Sequence, residues 1–144
     1  MQPSQNCIDL IKKFEGLRLN AYHDSVNVVT IGWGTTMYPD GSKPKIGDTI
    51  VSAQAEEYLI GDVKRRSAAM GILPVNQNQF DALVCFCYNV GLGAFNKSTL
   101  RKKVIANAND PEIAAQFMRW NKAGGQVLNG LTKRREAEAD LYFS

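Results

Sequence analysis

The chain has 144 residues, 44% of them hydrophobic, with a formal net charge of +3. A chain of this size buries about 70% of its unfolded surface, so one compact unit over 1–144 is expected and a second domain is not. The charge suits an anionic polymer but lacks the dense Lys/Arg patches of a nucleic-acid binder, the three cysteines make no disulfide framework, and no stretch is long and apolar enough to span a bilayer.

Ser4 or Asn6 caps a first helix in which Cys7, Leu10, Ile11 and Phe14 share a face, and Gly16 is its natural stop. Leu17, Leu19 and Ala21 then alternate with Arg18, Asn20 and Tyr22, the period of a strand. The polar turn His23-Asp24-Ser25 leads to a second strand, Val28-Val29-Thr30-Ile31. Turn formers fill 38–44, and Lys45 to Asp48 reads as a third short strand, giving a small β-rich lobe over about 16–50. From Ser52, an expected N-cap, Ala55, Leu59 and Val63 recur at helical spacing until Gly71. Asn76 and Gln79 form a capping box for a helix to about Val90, so apolar that it belongs at the centre of a bundle. The run 89–93 breaks it, and Ser98 caps the next helix. Asp110-Pro111 opens another helix, which Gly124-Gly125 ends, and the last runs from about Leu131 to Tyr142. Cys7, Cys85 and Cys87 read as buried reduced thiols. The architecture is α+β: a small β lobe packed on a mostly helical lobe (about 52–144 plus the helix at 4–15), with a cleft where they meet.

Two acids flank that junction. Glu15 falls in the last helical turn, where the helix dipole disfavours a carboxylate, and shielding by Phe14 and Leu17 would further favour the protonated form that a general acid needs. Asp24, in a hydrated turn, stays ionised. Carboxylates in unlike environments are what glycoside hydrolysis uses. Each acid alone has a plainer reading, a solvated helix end and an Asx turn. Arg18, Arg134 and Arg135 are candidates to pair with Glu15 and oppose the helix-end effect. His23 reads as an exposed turn residue. Gly32 and Gly34 flank Trp33 without the helix start that a phosphate loop requires, so a close backbone approach explains them better.

Glu15, Asp24 and Thr30, with Phe-Glu-Gly-Leu-Arg-Leu-Asn-Ala-Tyr over 14–22 and Thr-Ile-Gly-Trp-Gly over 30–34, resemble the glutamate, aspartate and threonine signature of the phage-type lysozymes, the family 24 glycoside hydrolases found as endolysins. Gln79 to Leu83, Tyr88 to Phe95 and Ser98 to Leu100 resemble that family's helical core and cleft loop, and Gly130 to Glu136 its C-terminal helix. Two positions depart from the pattern: Asn27 stands where Gly is common, which positive φ tolerates, and Thr35 where a His is usual, which removes an ionisable partner.

The resemblance implies a lysozyme-like fold and an endolysin that cuts the β-1,4 bond between N-acetylmuramic acid and N-acetylglucosamine in peptidoglycan, for host lysis. It makes Glu15 the proton donor, while Asp24, with Thr30, holds a water below the sugar or attacks directly. The Thr30 hydroxyl favours the inverting route. Thr36, Phe86, Tyr88, Ser98 and Gly130 fall where the family's cleft-lining residues lie, although Phe86 reads equally as core. No metal or cofactor is implied. The implied partners are peptidoglycan glycan strands, whose anionic wall suits a mildly basic protein, and a separate holin for release. Neither nucleic acid nor stable membrane insertion is expected. Without a signal peptide, the protein is expected in the cytoplasm of the infected or lysogenic bacterium until it reaches the wall. The alternatives are a lytic transglycosylase on the same bond and a noncatalytic wall-binding module.

Overall fold

The structure, a computed structural model, describes residues 1–144. In chain order it has α1 (Gln5–Glu15), β1 (Arg18–His23), β2 (Val29–Gly32), α2 (Ser52–Ala69), α3 (Gln77–Val90) and α4 (Leu92–Lys97). There follow α5 (Thr99–Ala106), α6 (Ile113–Met118), β3 (Lys122–Ala123), β4 (Gln126–Val127) and α7 (Asn129–Tyr142).

Helix α1 starts where the Ser4 side chain accepts the Asn6 N–H. The Ser4 N–H and hydroxyl both donate to the Asp81 carboxylate, fastening this start to α3. At the other end Gly16 turns the chain out of the helix at φ 70°, a conformation that costs glycine little, so Glu15 is the last helical residue.

Strands β1 and β2 pair antiparallel with Tyr22 opposite Thr30 and His23 opposite Val29. Asn27 takes φ 65° in the connecting turn, as the sequence expects of a residue standing in for glycine. The alternation over 17–22 does not translate into burial: Leu17 and Leu19 are 37% and 39% exposed, and β1 makes its contacts chiefly with β2.

The expected third strand at Lys45–Asp48 is absent. Asp48 folds back instead, its N–H donating to the Lys45 carbonyl at 2.9 Å and its carboxylate accepting the Lys45 N–H at 3.0 Å and the Tyr38 hydroxyl at 2.7 Å. The turn uses the backbone groups that a strand would have paired, and only an isolated bridge between Asn20 and Thr49 ties the segment to β1.

Ser52 is the first helical residue of α2, not its cap; the capping position is Val51, whose N–H donates to the Gln54 side chain at 3.0 Å. The capping box on α3 is present in both directions: Gln79 N–H to Asn76 Oδ1 at 2.9 Å and Asn76 N–H to Gln79 Oε1 at 3.0 Å. Every residue from Gln79 to Tyr88 is buried, which makes α3 the axis of the helical lobe, with α1 and α7 packed against it.

Beyond α3 the chain is more broken than its pattern suggests. Gly91 at φ 95° does interrupt the helix, but α4 begins at the next residue. Ser98 caps α5 by accepting the Arg101 N–H at 3.0 Å. Asp110 accepts the Glu112 N–H at 2.9 Å, yet α6 ends at Met118, well before the glycines. Gly124 and Gly125, at φ 58° and 79°, turn the small β3–β4 hairpin, the paired positive φ that such two-residue turns demand.

The core includes an aromatic cluster in which Phe86 meets Phe95, Phe117 and Trp120 edge to face, with Tyr142 against Phe117. All three cysteines are buried and free, and burial pushes the Cys87 thiol up to about 11. No helix is long and apolar enough to cross a membrane.

The turn at 38–48 titrates. Hydrogen bonds from the Lys45 backbone and then the Tyr38 hydroxyl hold the Asp48 carboxyl below its ordinary range. A carboxyl whose folded value is lowered adds stability above its unfolded value and loses it as pH falls through the folded one. Tyr38→Phe should therefore lower the urea midpoint at neutral pH, with the difference from the parent protein closing as the solution is acidified. An equal difference at all pH values would contradict this role for the carboxylate.

Candidate active site

Four elements converge on one cavity of about 230 Å³: the end of α1, the β1–β2 hairpin, the C-terminal half of α2 and the end of α3. Glu15, Tyr22, Asp24, Thr30 and Thr36 line it from one side, and Arg66, Tyr88 and Asn89 from the other. The sequence expected the two acids, Thr30, Thr36 and Tyr88 at a common cleft, and these five residues do share it.

Glu15 reaches the cavity because Gly16 ends α1 there, and Arg134 fixes its direction. Arg134 Nη1 lies 2.6 Å from Glu15 Oε2, in a pair whose side chains are only 4% and 18% exposed. Of the three arginines considered as partners, only this one pairs with Glu15. Arg18 stacks over the Tyr22 ring at 4.2 Å, and Arg135 turns to Glu138 and Asn89. The apolar sheath expected from Phe14 and Leu17 is not what surrounds Glu15, since Leu17 faces solvent. Its close neighbours are Arg134 and the backbone at Gly34.

The corner from Ile31 to Thr35 sets that approach. Ile31 and Thr35 exchange backbone hydrogen bonds at 2.9 and 2.8 Å, and Tyr88 donates its hydroxyl to the Trp33 carbonyl at 2.8 Å, pinning the corner to α3. Gly34 sits at φ 90°, and a Cβ there would stand 2.5 Å from Glu15 Oε1. Thr35 is buried where a histidine is usual, and its hydroxyl has no hydrogen-bond partner, so no ion pair forms at that point.

Asp24 is held by its own turn. Its Oδ1 accepts the N–H groups of Val26 at 3.0 Å and Val28 at 2.8 Å, so the backbone of the turn engages only one of its two oxygens. Thr30 donates its hydroxyl to the Val28 carbonyl at 3.0 Å, so its oxygen lone pairs remain able to accept from a water. The two acids thus have unlike partners, a guanidinium for one and backbone amides for the other. Burial and then the nearby Glu15 carboxylate push the Tyr22 phenol up.

Other expected residues lie elsewhere. Phe86 is 0% exposed and packs in the aromatic cluster, so the core reading holds and the cleft-lining one fails: a ring enclosed by three others meets no ligand. Ser98 lines a separate pocket of about 320 Å³ with Lys97, Thr99, Gln116, Arg119 and Trp120. Gly130 is exposed in the first turn of α7 and touches neither cavity. His23 is exposed. Conversely, Arg66 and Asn89 line the cavity without having been singled out. Arg66 carried one legible sign, its spacing from Asp62, to which it pairs at 3.1 Å.

With this geometry in place, comparison with known proteins is decisive. The model of the phage lysozyme family matches residues 12–138. The chain belongs to the phage lysozyme family. It is 44% identical to the endolysin of Bacillus phage B103 over the whole of this chain but only 55% of that protein, so it spans just over half the length of that curated relative. The solved endolysin from Escherichia coli O157:H7 phage FAHEc1 superposes with a TM-score of 0.87 at 42% identity, covering 100% of this chain and 94% of that one. The muramidase domain of SpmX from Asticaccaulis excentricus gives a TM-score of 0.81 at 31% identity, covering 99% and 98%. The lysozyme-like α+β fold expected from the sequence is the one these relatives share.

Two substitutions check the layout. Gly34→Ala should push the Glu15 carboxylate off Arg134, both through the Cβ contact and through strain at positive φ; a crystal structure of the variant with the pair intact would contradict the close-approach argument. Phe86→Ala should cost about 3 to 5 kcal/mol in urea denaturation, as for a large aromatic removed from a packed core, and a loss under about 1 kcal/mol would contradict its placement there.

Proposed function

We propose that residues 1–144 act as one catalytic unit of an endolysin, hydrolysing the β-1,4 bond between N-acetylmuramic acid and N-acetylglucosamine in peptidoglycan. Membership of the phage lysozyme family supports a wall-lytic activity. The observation that carries the finer reading is the sharing of one cavity by two carboxylates with opposite kinds of partner.

In this mechanism Glu15 protonates the glycosidic oxygen. Arg134 occupies Oε2 and so orients the acid, leaving Oε1 as the oxygen that carries the proton. Asp24 takes a proton from a water through Oδ2 while Thr30 accepts a second hydrogen bond from the same water, and attack from the far side of the ring inverts the anomeric centre. The glycosidic bond breaks, the glucosamine unit leaves with the Glu15 proton, and the muramic acid unit gains the hydroxyl. Thr36, Tyr22 and Tyr88 line the path of the glycan.

Glu15→Gln should cut the clearing of permeabilised Gram-negative cells by at least about 100-fold, the scale of general acid catalysis, while leaving wall sedimentation intact. Retained clearing would end the acid assignment. Mass spectrometry of digested wall should give reducing muramic ends, first formed as the α anomer by NMR. Products with 1,6-anhydro rings would point to a transglycosylase instead, and initial β anomer to retention.

A further inference from the structure

Helix α7 turns three charged side chains inward, Arg134, Arg135 and Glu138, all within 3% exposure. Both guanidinium groups converge on the one carboxylate. Arg134 Nε lies 3.2 Å from Glu138 Oε2, Arg135 Nη2 lies 3.1 Å from the same oxygen, and Arg135 Nε lies 2.8 Å from Oε1. Two buried cations facing one buried anion leave a positive charge over. One arm of each arginine reaches a residue of the active-site cavity: Arg134 Nη1 lies on Glu15 Oε2 at 2.6 Å, and Arg135 Nη2 on Asn89 Oδ1 at 2.9 Å.

Arg134 Nη2 is held by the Cys85 carbonyl at 3.1 Å, but stability alone does not call for one arm of each arginine to reach a residue lining that cavity, and buried ion clusters of this kind are weak evidence of stabilisation. We infer that Glu138 is a positioning residue for Glu15: it holds Arg134 from behind and takes up part of its charge, so that Glu15 can gain and lose a proton beside a guanidinium. This rests on Glu15 being the proton donor. Were Glu138 neutral, Arg134 would face Glu15 with no carboxylate behind it, and the Arg135 charge would go unmatched. Were Arg135 neutral, Glu138 would offset Arg134 in full.

The surroundings leave this assignment to Glu138. Glu15 is faced by Arg134 from α7, by Tyr22 and Asp24 from the hairpin, and by Tyr88 and Arg66 across the cavity. Glu138 is faced by Arg134 and Arg135 on its own helix, by the Cys85 thiol of α3, and at longer range by Cys7 of α1. Asp62 on α2 is taken by Arg65 and Arg66, so Glu15 and Glu138 are the carboxylates bonded to the two α7 arginines. Burial pushes the Glu138 carboxyl up and both arginines pull it back, which agrees with its balancing position.

The alkaline limb of kcat/KM against pH reports the loss of the essential proton from the free enzyme. Glu138→Gln should move that limb down by about one pH unit, and Arg135→Gln should move it up by a similar amount, for a single charge at this range. A structural role alone would lower activity or the urea midpoint in either variant without moving the limb. Each variant is read separately, so if one fails to fold, the direction of the other decides. A limb that stays in place in a folded variant, or moves the same way in both, would overturn the inference. Glu15→Gln serves as the control: if it remains active the acid assignment has failed, whereas an inactive Glu15→Gln with unmoved limbs refutes only the role of Glu138.

Discussion

The contact on which the rest depends joins residues 119 positions apart: the Arg134 guanidinium on the Glu15 carboxylate. A helix can end anywhere on a surface, and the carboxylate on its last residue would ordinarily wave in water. Here the last helix of the chain reaches back to the first and fixes the direction of that carboxylate. Arg134 is itself immobilised by the Cys85 carbonyl at 3.1 Å and by Glu138, so the position of Glu15 is set by the rigid centre of the helical lobe. Removing one partner from a buried pair of this kind costs about 3 to 5 kcal/mol, because the other charge is left stranded.

The hairpin meets this fixed point through backbone. Gly34 lets the corner after β2 lie against Glu15, and the Tyr88 hydroxyl binds the same corner to α3. With the corner in place, the pairing of Tyr22 with Thr30 brings the Asp24 turn to the same cavity. Leu17 and Leu19 stay exposed while Ile31 is buried, and hydrogen bonds at the corner and the turn fix the geometry of this lobe.

Much of this was legible in the chain because it is written in local chemistry. The stop at Gly16, the capping box of Asn76 with Gln79, the Ser98 cap and the turn at Asn27 each concern neighbours within a few residues, and each is present. Reading failed where the Asp48 side chain competed for the backbone and drew 45–48 into a turn, and where the positive φ of Gly124-Gly125 made a hairpin in place of the expected helix end. The two acids, Thr30 and Thr36 came together as the family resemblance implied. Phe86 did not, since an apolar residue in the middle of a buried helix has no mark in sequence that separates cleft from core. The choice among Arg18, Arg134 and Arg135 was also closed to sequence, because it depends on how α7 rotates against α3, a relation between segments about fifty residues apart.

The muramidase reading requires a glycan to lie between an acid held by Arg134 and a carboxylate held by its own turn. A crystal structure of the Glu15→Gln variant with a wall-derived tetrasaccharide tests this most directly. The expected result is a scissile oxygen within hydrogen-bond distance of the residue 15 side chain, with a water bridging Asp24 and Thr30 beneath the neighbouring sugar. A glycan seated away from this cavity, or crossing it with no bridging oxygen near residue 15, would contradict the account.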